Sequence, residues 1–406
     1  MSLFKPTPSS SQSLEFEAAN RLKMLPPYLF AEVDKKKRQL VAQGKDVIDL
    51  GVGDPDLPTP EPIIEALAKA ARDPGNHRYA LDAGMPLFRE SISAWFERRF
   101  GVRLNPTDEI LPLIGSKEGL AHLPLAFVNP GDVVLAPDPG YPVYRSATWF
   151  AGGEVVAMPL LEANGFLPDL DAIPPTALKK AKLMFVNYPN NPTSAIAPRE
   201  FFEKLLRFAR EHKILIAHDA AYSEVAFDGY RTPSFLEFEG AKDVCVEFHS
   251  LSKTFNMTGW RVGFAVGNAK ALALLGKVKS NIDSGIFQAI QLAGKKALDD
   301  CQSYLDASLK IYQKRRDLLI GGLQKMGWDV KLPKATFYCW LPVPPGYTSA
   351  GLSLKFLEDM NIIVTPGNGF GTHGEGYFRI SLTVPDARLE EALKRIQKSH
   401  QHLHTK

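Results

Sequence analysis

A lysine set among small hydroxyl residues is the stretch most able to do chemistry: Ser250-Leu-Ser252-Lys253-Thr-Phe-Asn-Met-Thr-Gly-Trp-Arg261-Val-Gly. An alternating apolar run (Val244, Val246, Phe248) precedes it and reads as a buried strand; a second run, Val262 to Val266, closes the unit. A lysine at the end of a core strand loses hydration, which depresses its pKa and suits it to forming a Schiff base or acting as a general base. Ser250, Ser252 and Arg261 are donors suited to a phosphate dianion. Lysine and phosphate donors together point to pyridoxal 5′-phosphate (PLP), held covalently and by its phosphate. The alternative is a surface loop with ordinary basic residues, and this stretch alone leaves both open.

PLP also needs an acid beside its pyridine nitrogen, donors to its ring oxygen and an anion nest for its phosphate. Asp219, three residues before Tyr222 and at a strand end, suits the nitrogen. Asn191 and Tyr222 can donate to the ring oxygen. Gly115-Ser116-Lys117-Glu-Gly119 follows an apolar strand and opens a helix, so its free N–H groups and the helix dipole make an anion site. Ser116 could equally be a plain cap, Asp219 an N-cap and Tyr222 a core tyrosine.

The elements that must position these residues are short apolar strands alternating with helices. Strands are expected at 47–50, 110–114, 132–136, 155–159, 183–187, 214–217, 244–248 and 262–266, and helices at 62–72, 86–99, 120–128 and 199–212. This pattern predicts an α/β fold whose mostly parallel sheet is covered on both faces. Tyr141, Asn191, Asp219 and Lys253 all fall just after such strands, where open α/β sheets bind ligands. Before the sheet, a helix is expected over 14–24 and a charged one over 31–43. After residue 270 the chain reads as helical to about 327, followed by strands at 335–341, 362–364 and 377–382 and a helix over 388–399. The run Gly367-Asn-Gly-Phe-Gly-Thr-His-Gly-Glu-Gly376 precedes a strand and opens no helix, so it reads as a flexible loop at the edge of the site, not a nucleotide loop. The expected division is a tail (1–13), a small α+β domain from 14–64 and 306–406, and a large PLP-binding domain over 65–305.

Net charge is +3 with the signs interspersed, which argues against nucleic acid or an anionic membrane as partner. The three cysteines are far apart and odd in number; this excludes a disulfide framework or Cys-rich zinc site and suits a reducing, cytoplasmic compartment. No metal site is expected. No apolar run approaches the ~20 residues of a membrane span. The first dozen residues lack the apolar centre of a secretory signal and the arginines of a transit peptide.

The motifs Asn191-Pro-Thr, Asp219-Ala-Ala-Tyr222, Ser250-x-Ser-Lys253, Arg261 and Phe378-Arg379-Ile-Ser come in one order along nearly the whole chain. In this they resemble the PLP-dependent aminotransferases of fold type I. Within that superfamily the chain is most similar to the LL-diaminopimelate aminotransferases, through Leu-Pro-Pro-Tyr28-Leu-Phe, Gly-Ser-Lys117-Glu-Gly-Leu-Ala-His-Leu-Pro and Asn-Ile-Asp-Ser-Gly-Ile-Phe-Gln288. The resemblance implies that Lys253 carries the cofactor and moves the substrate proton, and that Tyr141 stacks on the ring. It implies that Arg379 takes the substrate α-carboxylate with the Gly53 backbone close by, and that Tyr28, Lys117 and Gln288 line the distal substrate site. Tyr79 would reach the cofactor phosphate of a neighbouring subunit, giving a homodimer with shared sites. The amino acceptor would be 2-oxoglutarate. One departure stands out: Ser194 follows Asn191-Pro-Thr where the family has glycine, which tightens the turn and leaves Asn191 in place. An aminotransferase for alanine or aspartate, or a PLP lyase acting at Cβ on the same fold, needs the same Lys253 and Asp219. A PLP-binding sensor fused to a DNA reader lacks support, because no helix-turn-helix or basic stripe is visible.

Overall fold

The computed structural model describes residues 16–25, 29–80 and 83–403. The expected tail and Tyr28 lie outside them. Strand β1 (Ile48–Asp49) precedes a seven-stranded sheet built from β2 (Ile110–Leu113), β3 (Val133–Asp138), β4 (Glu154–Pro159), β5 (Ala181–Asn187), β6 (Leu215–Asp219), β7 (Cys245–Ser250) and β8 (Gly263–Gly267). Its order is β2-β8-β7-β6-β5-β3-β4, and only β8 runs against its neighbours. The mostly parallel α/β sheet is therefore as expected. β3, β7 and β8 are buried along their whole length; β3 and β8 accordingly read as near-continuous apolar runs, while β7 alternates apolar residues with the buried Glu247 and His249.

A second sheet pairs β9 (Tyr338–Pro342), β11 (Thr365–Pro366) and β12 (Tyr377–Ser381), while β10 (Ile362–Ile363) pairs with β1. One apolar cluster joins Ile48 and Leu50 to Phe337, Phe356, Phe378 and Leu389, tying an early segment to the end of the chain. Arg315 reinforces this join, bridging Asp56 at 2.7 Å and Asp386 at 2.8 Å.

Several boundaries differ from the sequence reading. The helix expected over 14–24 is four residues, Asn20–Lys23, and the charged one is Leu29–Ala42. The first strand after residue 330 begins at Tyr338, not at residue 335. The helical stretch after 270 breaks over 280–287, where Gly285 has φ of 80°. The helix after Gly115 begins at Ser116, four residues early. A helix that apolar periodicity did not mark, Val143–Phe150, follows Tyr141 directly. The glycine run forms two tight turns, Gly367–Phe370 and Thr372–Gly374, with Gly367, Phe370 and Gly374 buried. It edges the site as expected but is packed rather than open: a Cβ at Gly374 would meet the Gly367 carbonyl. Among the described residues no helix is long and apolar enough to cross a membrane, and the three cysteines are free and buried.

On the sheet face turned away from Asp219, β6 and β7 are clamped by a fully buried carboxylate. Glu247 Oε2 lies 2.9 Å from His218 Nδ1, and Oε1 lies 2.7 Å from His249 Nε2 and accepts from Ser234 Oγ at 2.8 Å. Burial alone would raise this carboxyl's pKa; the two imidazoles more than offset it and hold the group below the ordinary range. A depressed carboxyl adds stability that is complete above its unfolded pKa and fades as pH falls below about 4. Glu247→Leu leaves both imidazoles and Ser234 without their acceptor, so urea denaturation at neutral pH should show a loss of about 3–5 kcal/mol, shrinking under acid.

Candidate active site

The carboxyl ends of β5, β6 and β7 open onto a cleft of about 810 Å³. Strand alternation sends Asp219 and Ser250 to this side, while His218 and Glu247 go to the other. Of the candidate residues, Gly53, Ser116, Lys117, Tyr141, Asn191, Asp219, Tyr222, Ser250, Ser252, Lys253, Arg261 and Arg379 all line the cleft. Two candidates stand apart from it. Tyr79 is 85% exposed, and Gln288 Nε2 donates to the Arg78 and Tyr79 carbonyls at 3.1 and 3.4 Å.

Asp219 is buried at the last position of β6. Desolvation raises its pKa, and the strongest opposing contact is the Tyr144 hydroxyl, which donates to Oδ2 at 2.8 Å. The helix Val143–Phe150 exists at this point to bring that hydroxyl in, with Tyr144 stacked on Phe185 at 4.8 Å between ring centroids. Asn187, at the end of neighbouring β5, donates from Nδ2 to the Asp219 carbonyl at 2.7 Å and accepts the Asn191 N–H at 2.7 Å. Asn187 thus links the two strand-end turns.

Arg379, on β12, reaches across from the smaller sheet. Its Nη1 donates to Asn191 Oδ1 at 2.7 Å and its Nη2 to the Gly51 carbonyl at 2.8 Å. The guanidinium lies between two rings, 4.1 Å from the Tyr338 centroid and 4.8 Å from that of Phe370. Its Nε is buried with no acceptor among the described residues. Lys253 Nζ donates to the Gly53 carbonyl at 3.2 Å, and desolvation lowers its pKa against the opposing pull of Tyr338 and Asp54.

The anion turn matches its sequence signal in part. Gly115, with φ of 73°, is the N-cap and no side chain caps the helix, so the alternative of Ser116 as a capping residue is not realised. Arg261 Nη2 occupies the space a Gly115 Cβ would need, and a Gly263 Cβ would press on the Ser116 amide. Glycine at both positions lets the guanidinium and the helix N-terminus approach each other. Glu118 braces the turn from behind, accepting from Ile114 N at 2.7 Å and from Lys279 Nζ at 3.1 Å. Lys117 Nζ is 5.8 Å from the Tyr141 ring centroid, and burial, with Asp219 next, pushes the Tyr141 hydroxyl up to about 12.

This donor set fits PLP. A buried carboxylate at Asp219 is held ionised most readily by a protonated ring nitrogen. Asn191 keeps its Nδ2 group free of hydrogen bonds among the described residues, and Arg379 keeps its orphaned Nε. The uncapped helix start beside Arg261, Ser250 and Ser252 suits a phosphate. Sequence reasoning missed Tyr144, Asn187 and Tyr338, which also line or support the cleft. Asn187 ends a predicted strand, as Asp219 does, and that position could have flagged it.

The family described as aminotransferase class I and II matches residues 45–396. The LL-diaminopimelate aminotransferase of Syntrophobacter fumaroxidans is 58% identical over 95% of this chain and 99% of its own length. That of Moorella thermoacetica is 52% identical over 94% and 98%. Among solved structures, substrate-bound BacF from Bacillus subtilis superposes with a TM-score of 0.91 at 41% identity, covering 95% of this chain and 98% of its own. A probable N-succinyldiaminopimelate aminotransferase from Thermus thermophilus gives 0.86 at 38%, covering 91% and 100%.

The Tyr144–Asp219 contact can be tested by stability alone. Tyr144→Phe keeps the ring and removes the donor to a buried carboxylate, which should cost about 1.5–3 kcal/mol near neutral pH. A carboxyl raised on folding is penalised only while ionised, so the deficit should narrow as pH falls toward about 4. Denaturation midpoints at both pH values check this.

Proposed function

The chain belongs to the class I and II aminotransferases, which are PLP-dependent enzymes, and from that premise we propose that it transfers an amino group from LL-diaminopimelate to 2-oxoglutarate. The observation that carries the reading is the meeting of Lys253, Asp219, Asn191 and Arg379 in one cleft whose donors suit both PLP and a carboxylate substrate. The names of the relatives that match over nearly full length support LL-diaminopimelate as donor.

In this reading Lys253 holds the cofactor covalently. Ser116, Ser250, Ser252 and Arg261 hold its phosphate, Tyr141 covers its ring, Asp219 faces its pyridine nitrogen, and Asn191 and Tyr222 donate to its ring oxygen. Bound there, PLP supplies an electron sink for the pair left when the substrate Cα loses its proton. Once the substrate amine has replaced it on the cofactor, the freed Lys253 Nζ, desolvated and so basic at lower pH than a surface lysine, would take that proton and return it. Arg379 binds the α-carboxylate, its guanidinium already oriented by Asn191 and Gly51. Lys117 takes the distal carboxylate, with Tyr28 and Gln288 assigned to the same end. The cleft lies between the large domain (65–305) and the small one (14–64 with 306–406). The working unit is a cytoplasmic homodimer in which Tyr79, exposed on one chain, completes its neighbour's site.

Two outcomes test this. Borohydride reduction of the purified protein should fix the cofactor on Lys253, and Lys253→Ala should retain the fold while losing both attachment and turnover. Asp219→Asn should keep the cofactor but lower turnover by several decades, each decade being about 1.4 kcal/mol of barrier. Cofactor fixed to another lysine, or near-normal turnover in Asp219→Asn, would refute the assignments.

The substrate is tested by an amino-donor scan at fixed 2-oxoglutarate with LL-diaminopimelate, aspartate, alanine and an aromatic amino acid. LL-diaminopimelate should give the highest kcat/KM. Lys117→Met should raise KM for it, with a loss in kcat/KM of about 1.5–3 kcal/mol and cofactor affinity nearly intact. Weakened PLP retention with unchanged donor preference would reassign Lys117 to the phosphate.

A further inference from the structure

Ser194, the residue that departs from the family pattern, has φ of 59°, a region that favours glycine. Its side chain is nevertheless buried and bonded twice. Ser194 Oγ donates to the Tyr338 carbonyl at 2.7 Å and accepts from Thr336 Oγ1 at 3.0 Å. Thr336 Oγ1 in turn accepts the Tyr338 N–H at 3.1 Å, and Thr336 itself has φ of 66°. Two strained residues therefore grip both backbone polar groups of Tyr338.

Tyr338 is buried and lines the cleft. Its hydroxyl is 3.0 Å from the Tyr222 hydroxyl, and its ring faces the Arg379 guanidinium at 4.1 Å. It also fills the space that a Cβ on Gly53 would need. One side chain thus touches the residues assigned to the cofactor ring oxygen, the α-carboxylate and the substrate-facing backbone.

We propose that Tyr338, anchored by Ser194, is a positioning residue whose hydroxyl donates to Tyr222 Oη and whose ring sets the plane of the Arg379 guanidinium. It rests on the assignments of Tyr222 and Arg379 above. A phenol that accepts a hydrogen bond donates its own proton more strongly, so Tyr222 is a better donor toward the cofactor ring oxygen when Tyr338 donates to it. The ionisable groups around the pair are Asp219 and Arg379 beside Tyr222, and Lys253, Tyr141 and Arg379 beside Tyr338. The ring and the hydroxyl act on different partners, which makes them separable.

The test uses holoenzyme of Tyr338→Phe, Tyr338→Leu, Ser194→Gly and the controls Tyr222→Phe and Arg379→Lys. Three quantities are read: the pH midpoint of the cofactor's visible absorbance, KM for the amino donor, and Tm. Losing the hydroxyl weakens stabilisation of the ring oxyanion, so Tyr338→Phe should move the midpoint upward by about half to one pH unit. Its KM should stay within about twofold, because the ring remains over Arg379. Tyr338→Leu should move the midpoint likewise and raise KM about tenfold. Ser194→Gly relieves the backbone, so Tm should not fall, yet the midpoint should move in the same direction as for Tyr338→Phe. If Tyr222→Phe moves the midpoint and Arg379→Lys raises KM while neither Tyr338 variant does either, the proposal fails alone. If the controls themselves do nothing, the assignments of Tyr222 and Arg379 fail and the proposal falls with them. A Ser194→Gly protein that loses Tm without moving the midpoint removes the anchoring role.

Discussion

A carboxylate taken out of water at the end of a parallel strand constrains everything near it. Asp219 cannot be left ionised and unpartnered in such a place, since an unpaired buried charge costs several kcal/mol. The chain answers locally with the Tyr144 hydroxyl and a contact from the Ala221 N–H at 3.3 Å to Oδ1. These donors are few for a buried carboxylate, and its pKa stays raised. A cation facing Asp219 would complete its partners. In the proposed reading a protonated pyridine nitrogen would do so, and Asp219 would in return keep the ring electron-poor.

The sheet makes this arrangement possible by sorting its polar groups by face. Along β6 and β7, alternation puts Asp219 and Ser250 toward the cleft and His218, Glu247 and His249 behind it. The rear cluster is self-satisfied: Glu247 accepts from Ser234 Oγ, from the Phe235 N–H at 2.9 Å and from both imidazoles. The front group is not. A buried network that satisfies itself holds the two strands in register, and one that does not is where a ligand belongs.

Much of this was legible in the sequence, for a definite reason. Lys253, Asp219, Asn191 and Tyr141 each follow an apolar strand, and in a parallel sheet the chain ends its strands at one edge, so position along the chain encodes position in the cleft. What escaped depends on contacts between distant segments. Tyr144 lies 75 residues from Asp219, and Tyr338 lies 116 from Tyr222. Neither carries a local signal: Tyr144 sits in a helix whose β-branched and aromatic residues hide it, and Tyr338 reads as one more strand aromatic. The opposite error occurred for the glycine run, whose composition suggests looseness. There the absent side chains let backbone meet backbone, so glycine means close packing.

Arg379 shows why the smaller sheet must stay in contact with the larger one. One of its hydrogen bonds crosses to the larger sheet, at Asn191 beyond β5, another goes to Gly51 beyond β1, and its guanidinium is pinned between Tyr338 and Phe370. Gly51 is held in turn by Thr365 Oγ1 at 3.0 Å, and Val52 by Thr383 Oγ1 at 2.9 Å. An arginine with this many fixed partners loses little rotamer freedom when a carboxylate arrives, because the ordering is already present in the fold. Its buried Nε and the second hydrogen on each Nη are the donors left to gain. A planar fork held between two rings suits a planar anion such as a carboxylate. In the role proposed for it, such a fork would hold the substrate α-carboxylate in one orientation relative to Lys253.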